Sequence, residues 1–153
     1  MLNLTQNFSL DGRLVCGDKS ISHRALILAA VSDGGGVIDI LSLCDDVMST
    51  VDCLRVLGAK ITLDGRRATV VPIQIANDNV TLNCGNSGTT ARLLAGLVCG
   101  LGVKATFVGD KSLSARPMDR VIEPLPAMGA HFRLREGLLF ETLGGKLFGC
   151  TLQ

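Results

Sequence analysis

Three short stretches of this chain gather cationic, hydroxyl and amide side chains where a helix is about to begin. The first is Gly17-Asp18-Lys19-Ser20-Ile21-Ser22-His23-Arg24. A glycine turn delivers Lys19 and Ser20 to a helix N-terminus, where backbone N–H groups lack partners and the dipole is positive. Arg24 follows Ser20 by one turn and shares its side. An ammonium, a hydroxyl and a planar guanidinium on one spot suit a phosphate or a carboxylate. The plainer alternative is a capped surface helix with solvated Lys and Arg.

The second stretch is Gly85-Asn86-Ser87-Gly88-Thr89-Thr90-Ala91-Arg92. Gly88 lets a ligand approach the backbone, which a Cβ would block. Asn86 and Thr89 can donate to an anion, and Arg92 stands where Arg24 stands in the first stretch. The alternative is a glycine-rich cap with Arg92 in a structural ion pair. The third is Ser112-Leu113-Ser114-Ala115-Arg116-Pro117-Met118, in which Pro117 keeps Arg116 out of helical geometry and sets its exit direction just before a helix.

None of these is a Walker A loop, because G-x-x-x-x-G-K-[ST] is missing. A second Gly109-Asp110-Lys111-Ser112 fails the same test and reads as a plain loop with no helix directly behind it. His23, in a first helical turn, and His131, at the head of a strand, are weak candidates for catalysis.

The elements that position these groups repeat. Gly17 to Gly85 and Arg24 to Arg92 are both offsets of 68, and Leu57-Gly58-Ala59 recurs as Met128-Gly129-Ala130 at an offset of 71. A shared period argues for two copies of one supersecondary unit. In the first copy, a helix spans Ser20 to Val31 with Ser20 as N-cap, and Val37 to Leu41 is a strand. A second helix runs from Asp45 or Asp46 to Leu57, and a hairpin of Lys60–Leu63 and Ala68–Val71 turns at Asp64-Gly65. In the second copy, strand Val80–Asn83 leads to helix Thr89–Cys99 and strand Val103–Val108. A helix over Pro117–Met128 follows, kinked or short because of Pro124 and Pro126, then a hairpin of His131–Leu134 and Leu138–Glu141. Unit one covers residues 13–72 and unit two 79–141. Residues 142–153 read as the opening of a third unit that is not completed, which suggests a fragment of a longer protein.

Composition narrows the partners. Of the 153 residues 47% are hydrophobic, enough to bury a core. Fifteen Lys plus Arg against fourteen Asp plus Glu leave a net charge of +1, and there is no Trp or Tyr. Nucleic acid and anionic membrane are therefore poor partners. The N-terminus lacks a signal-peptide pattern, and the longest apolar run, Ala25 to Val31, is too short for a bilayer. The six cysteines form no C-x-x-C pair, so no metal site is expected, and they read as small buried hydrophobes in a reducing cytoplasm.

Taken in order, Gly17-Asp18-Lys19-Ser20-Ile21-Ser22-His23-Arg24, Gly85-Asn86-Ser87-Gly88-Thr89, and Arg116-Pro117-Met118 followed by Val121-Ile122-Glu123-Pro124-Leu125 and Met128-Gly129-Ala130 resemble the EPSP synthases. The match spans nearly the whole chain. The sister family that acts on a UDP-sugar opens with a Gly-Ala-Lys-Asn type motif, which Lys19-Ser20-Ile21-Ser22-His23-Arg24 does not resemble.

The resemblance implies an α/β fold built from repeated β-α-β-α-β-β units, six in two domains. This chain would supply two of them, with residues 1–12 a strand segment belonging to the other domain. It implies transfer of the enolpyruvyl group of phosphoenolpyruvate to the 5-hydroxyl of shikimate 3-phosphate, with release of phosphate and no metal or organic cofactor. Lys19, Ser20 and Arg24 would bind shikimate 3-phosphate. Lys19, the expected catalytic group, would also reach phosphoenolpyruvate, together with Asn86, Gly88, Thr89 and Arg116, with Arg92 close by. The family's acid–base Asp and Glu lie in the C-terminal part, outside this chain. The full-length family is typically monomeric and cytoplasmic. Two positions depart from the pattern: Cys16 replaces a proline before Gly17, and Pro126 replaces a helix-compatible residue. The competing expectation is a non-catalytic piece that needs a complementary half, inactive alone and exposing an apolar face.

Overall fold

The structure is a computed structural model that describes residues 17–150. The strand expected at 1–12, the Cys16 departure and the ends of the proposed units at 13–16 and 151–153 lie outside the described residues.

The first unit runs α1 (Lys19–Val31), β1 (Gly36–Ile38), α2 (Asp45–Leu57), β2 (Lys60–Asp64) and β3 (Arg67–Val71). Its first helix starts one residue earlier than expected. Asp18, not Ser20, is the N-cap, and its carboxylate accepts from Ile21 N at 2.8 Å. A carboxylate at that end also suits the positive dipole. Strand β1 stops at Ile38 rather than Leu41, because Ile40 sits at φ 59°, a left-handed value that a β-branched residue rarely adopts. Helix α2 carries Asp45 and Asp46 in its first turn and closes at Gly58, φ 115°, with the Gly58 and Ala59 amides returning to Arg55 and Leu54 carbonyls.

The second unit runs β4 (Val80–Asn83), α3 (Gly88–Leu101), β5 (Lys104–Val108), α4 (Lys111–Ser114), α5 (Asp119–Ile122), α6 (Pro124–Ala127), β6 (Phe132–Arg133) and β7 (Phe140–Leu143). The single helix expected from Pro117 is instead α5 and α6. It begins at Asp119, not Pro117, and breaks where Pro124 has no N–H to give the preceding turn. The last hairpin strand lies two residues later than expected. Phe140 fixes its register, stacking on Phe107 at 4.4 Å between ring centroids and meeting Phe132 edge-on at 5.8 Å.

The sheets reproduce the repeat. Strands β1-β3-β2 form one antiparallel sheet, and β4-β5-β7-β6 form the other, with β4 parallel to β5. The order β5-β7-β6 copies β1-β3-β2. The 71-residue offset also has a physical basis: Gly129, φ 95°, closes α6 as Gly58 closes α2, its amide and that of Ala130 returning to Pro126 and Leu125 carbonyls. Along β3, Ala68 and Val70 are buried while Arg67, Thr69 and Val71 face out, so each sheet presents one face to the helices.

Of the described cysteines, Cys53, Cys84 and Cys99 are buried. Cys44 and Cys150 are exposed, so the reading of all the cysteines as core residues is corrected. A groove of about 380 Å³ between α1 and α3 is lined by Arg24, Ile27, Leu28, Val31, Leu93, Gly96 and Leu97. Leu28 on its rim is 58% exposed. Among the described residues no helix is long and apolar enough to cross a membrane.

Candidate anion-binding site

The two Gly-Asp-Lys-Ser segments fold alike. Asp18 and Asp110 each cap a helix start, accepting from Ile21 N and Leu113 N, and each offers its backbone carbonyl to a hydroxyl four residues on, Ser22 or Ser114. The plain loop expected at 109–112 is thus one turn of helix, nucleated by Asp110. It ends after Ser114 because Pro117 disfavours helical geometry at Arg116. The chain then turns back, and Arg116 reaches the start of α3.

There the structure brings Arg116, Asn86, Gly88 and Arg92 together. Arg116 Nη2 donates to Asn86 Oδ1 at 2.6 Å, and Asn86 Nδ2 donates to Asp110 Oδ2 at 2.7 Å. Arg92 Nη2 donates to the Pro117 carbonyl at 3.1 Å. Among the described residues it makes no carboxylate ion pair, so the structural pair raised as an alternative does not form. A Cβ on Gly88 would stand 2.7 Å from Arg92 Nη1 and 3.5 Å from Arg116 Nη1. Two guanidiniums therefore converge on Gly88, which carries no side chain. Ser87 caps α3 through Thr90 N, leaving Gly88 and the half-buried Thr89 in its first turn.

Lys19 joins from α1. Its Nζ lies 2.8 Å from Asp46 Oδ2 on α2. The hydrogen bond to Asp46, followed by the carboxylate's charge, raises the Lys19 pKa, while Arg116 is near enough to push it down. Ser20, also in the first turn, is exposed. Arg24 sits apart. It lines the apolar groove, and among the described residues no hydrogen bond or ion pair ties it to the others.

Sequence reasoning missed Asp46 and Asp110. Asp46 read only as a helix start, and nothing in a spacing of 27 residues from Lys19 signals the pair. Asp110 did carry a signal, the repeated Gly-Asp-Lys-Ser. His23 packs inside: it is fully buried, with Nδ1 2.7 Å from Thr50 Oγ1. Burial lowers its pKa, against an opposing pull from Asp46.

The Gly88 geometry makes a prediction. Gly88→Ala should keep the fold, because alanine suits a helix start at least as well and the clashing atom is the mobile end of Arg92. The displaced guanidinium should cost about tenfold in affinity for phosphoenolpyruvate, the scale of one charge-assisted hydrogen bond. Calorimetric titration of wild type and variant checks this, and equal affinities would contradict it.

The family model for EPSP synthase (3-phosphoshikimate 1-carboxyvinyltransferase) matches residues 5–146. The chain is 47% identical over 133 residues to the 3-phosphoshikimate 1-carboxyvinyltransferase of Geobacillus kaustophilus, covering 84% of this chain and 31% of that protein. It is 48% identical over 134 residues to the enzyme of the same name from Synechococcus elongatus, covering 84% and 30%. The solved structure of EPSP synthase from Acinetobacter baumannii superposes with a TM-score of 0.80 at 32% identity, covering 91% of this chain and 33% of that one. The chain therefore spans about a third of the length of the relatives it matches.

Proposed function

The chain belongs to the EPSP synthase family, and from that membership we propose that it supplies the N-terminal, anion-binding part of an enzyme joining phosphoenolpyruvate to shikimate 3-phosphate. In that reaction the 5-hydroxyl of shikimate 3-phosphate takes the enolpyruvyl group, and phosphate leaves. The observation that supports this most is the meeting of Arg92 and Arg116 at the bare backbone of Gly88. Two polyanions repel each other, and the work of this part is to hold them side by side. Fixed cations do that without reorganising as the reaction proceeds.

In this scheme Asn86, Gly88, Thr89 and Arg116 receive phosphoenolpyruvate, with Arg92 beside them. Lys19, Ser20 and Arg24 receive shikimate 3-phosphate, and Lys19 bridges the two. Asp46 holds the Lys19 ammonium toward the site until an anion replaces it. The groups that move protons lie in further chain, beyond the two units at 13–72 and 79–141 and the opening of a third at 142–153.

Phosphate release tests the scheme. The chain alone should show no turnover, and adding the C-terminal two-thirds of the Geobacillus relative should restore it. Turnover by the chain alone would contradict the placing of essential groups elsewhere. Failure of the chain to bind phosphoenolpyruvate at all would contradict the site itself.

A further inference from the structure

We propose that Asp110 is a positioning residue that aims the Arg116 guanidinium by dictating which way the Asn86 amide points. The inference rests on the reading of Arg116 as a phosphoenolpyruvate contact, and it gives a role to the second Gly-Asp-Lys-Ser segment, which that reading leaves unused.

The geometry is directional. Asp110 is held by its backbone, its N–H donating to the Gly85 carbonyl at 2.8 Å and its carbonyl accepting from Ser114 Oγ at 2.9 Å. Its Oδ1 is committed to Leu113 N at 2.7 Å. Only Oδ2 remains to face Asn86, and it accepts from Nδ2 at 2.7 Å. An amide has a donor end and an acceptor end. With the donor end turned to Asp110, the acceptor end must face Arg116, and Oδ1 meets Nη2 at 2.6 Å. A carboxylate with both oxygens engaged is thus the only side chain of this size that can cap α4 and present an acceptor to Asn86 together. The Asn86 and Leu113 hydrogen bonds also hold the Asp110 carboxyl below its usual range, so it stays ionised near neutral pH. All three side chains are exposed, so the chain of bonds contributes orientation rather than stability.

Asparagine at 110 has one acceptor for two donors. If its oxygen keeps the Leu113 cap, its NH₂ faces Asn86, whose amide must turn over and present NH₂ to Arg116. Two donors then oppose each other, and the guanidinium is released. Serine at 110 keeps the cap through its hydroxyl and drops the Asn86 contact.

The experiment compares wild type, D110N, D110S, N86A and D110S/N86A in the full chain. One readout is the side-chain ¹⁵N relaxation of Arg116, and the second is titration with phosphoenolpyruvate. Retention of α4 is followed by the exchange rate of the Leu113 amide. D110N and D110S should loosen Arg116 and weaken phosphoenolpyruvate binding about tenfold, the loss of one charge-assisted hydrogen bond. D110S should cost nothing further once Asn86 is alanine. An Arg116 as ordered in D110S as in wild type would overturn the proposal, and so would an equal D110S penalty with and without Asn86. If Arg116 loosens as described while even the wild-type chain ignores phosphoenolpyruvate, the positioning role stands and the substrate assignment falls.

Discussion

Arg116→Ala lowers affinity for phosphoenolpyruvate by about thirtyfold or more, while the melting midpoint stays within a few degrees of wild type. The size follows from removing one side of a hydrogen-bonded charge contact that the bound anion would desolvate, about 2–5 kcal/mol. The small effect on stability follows from exposure: Arg116 is exposed, and among the described residues its one side-chain bond is to the exposed Asn86. Arg116→Lys should recover part of the loss but not all, because an ammonium keeps the charge and loses the planar fork. Titration calorimetry separates the three proteins. A lysine variant equal to wild type would mean that charge alone matters and that the Asn86 contact has no function.

The second large effect is on stability. Thr50→Val should destabilise the fold by about 1–3 kcal/mol, the cost of leaving a buried donor without its partner. Thr50, on α2, links α1 and α3. Its hydroxyl is 2.7 Å from His23 Nδ1 on α1 and 2.7 Å from Thr90 Oγ1 on α3, and Thr90 reaches Ser87 Oγ at 2.7 Å and the Asp46 carbonyl at 3.1 Å. All four side chains, His23, Thr50, Thr90 and Ser87, are fully buried. Among the described residues His23 Nε2 has no partner. The arrangement that leaves a bare lone pair there, rather than an orphan N–H, puts the proton on Nδ1, donating to Thr50. Thr50 then donates to Thr90, and Thr90 to Ser87 or Asp46. In Thr50→Val, Thr90 keeps its other partners, but His23 loses the one it has among the described residues. Thr50→Ser should cost far less, and urea unfolding of the two variants distinguishes loss of the hydroxyl from loss of the methyl.

The same network sets a pH dependence. Burial is the main reason the His23 pKa lies below its ordinary 6.5. Below 6.5 the unfolded chain takes up a proton that the folded chain refuses. Stability from this residue is therefore full above 6.5 and declines as the pH falls toward the lowered value. Unfolding midpoints at about pH 7.5 and about pH 5.5 should differ in wild type, and His23→Gln should remove that part of the difference.

Much of this was legible in the sequence, for reasons that can be named. The 68- and 71-residue offsets are visible because two copies of one unit need a polar helix start and a left-handed glycine end at matching places, and Gly58 and Gly129 meet the second need in the same way. Pro124 and Pro126 marked the broken helix because a missing N–H acts locally. What stayed hidden is what the chain joins across distance. Lys19 with Asp46, Asn86 with Arg116, and His23 through Thr50 to Thr90 are pairings between elements, 27 to 40 residues apart, with no periodic trace. The caps were misread for a subtler reason. In Gly-Asp-Lys-Ser both the aspartate and the serine are good caps, and only the fold shows that the aspartate takes the role at both 18 and 110.

The central claim is that the starts of α1 and α3 and the turn at Arg116 make one anion site. A titration of the ¹⁵N-labelled chain with phosphoenolpyruvate at constant ionic strength tests it most directly. The backbone amides of Gly88 and Thr89, the Lys19 amide and the Arg116 Nε should shift together and saturate along one curve. Shifts that follow separate curves, or that never saturate, would mean that these groups do not share a ligand.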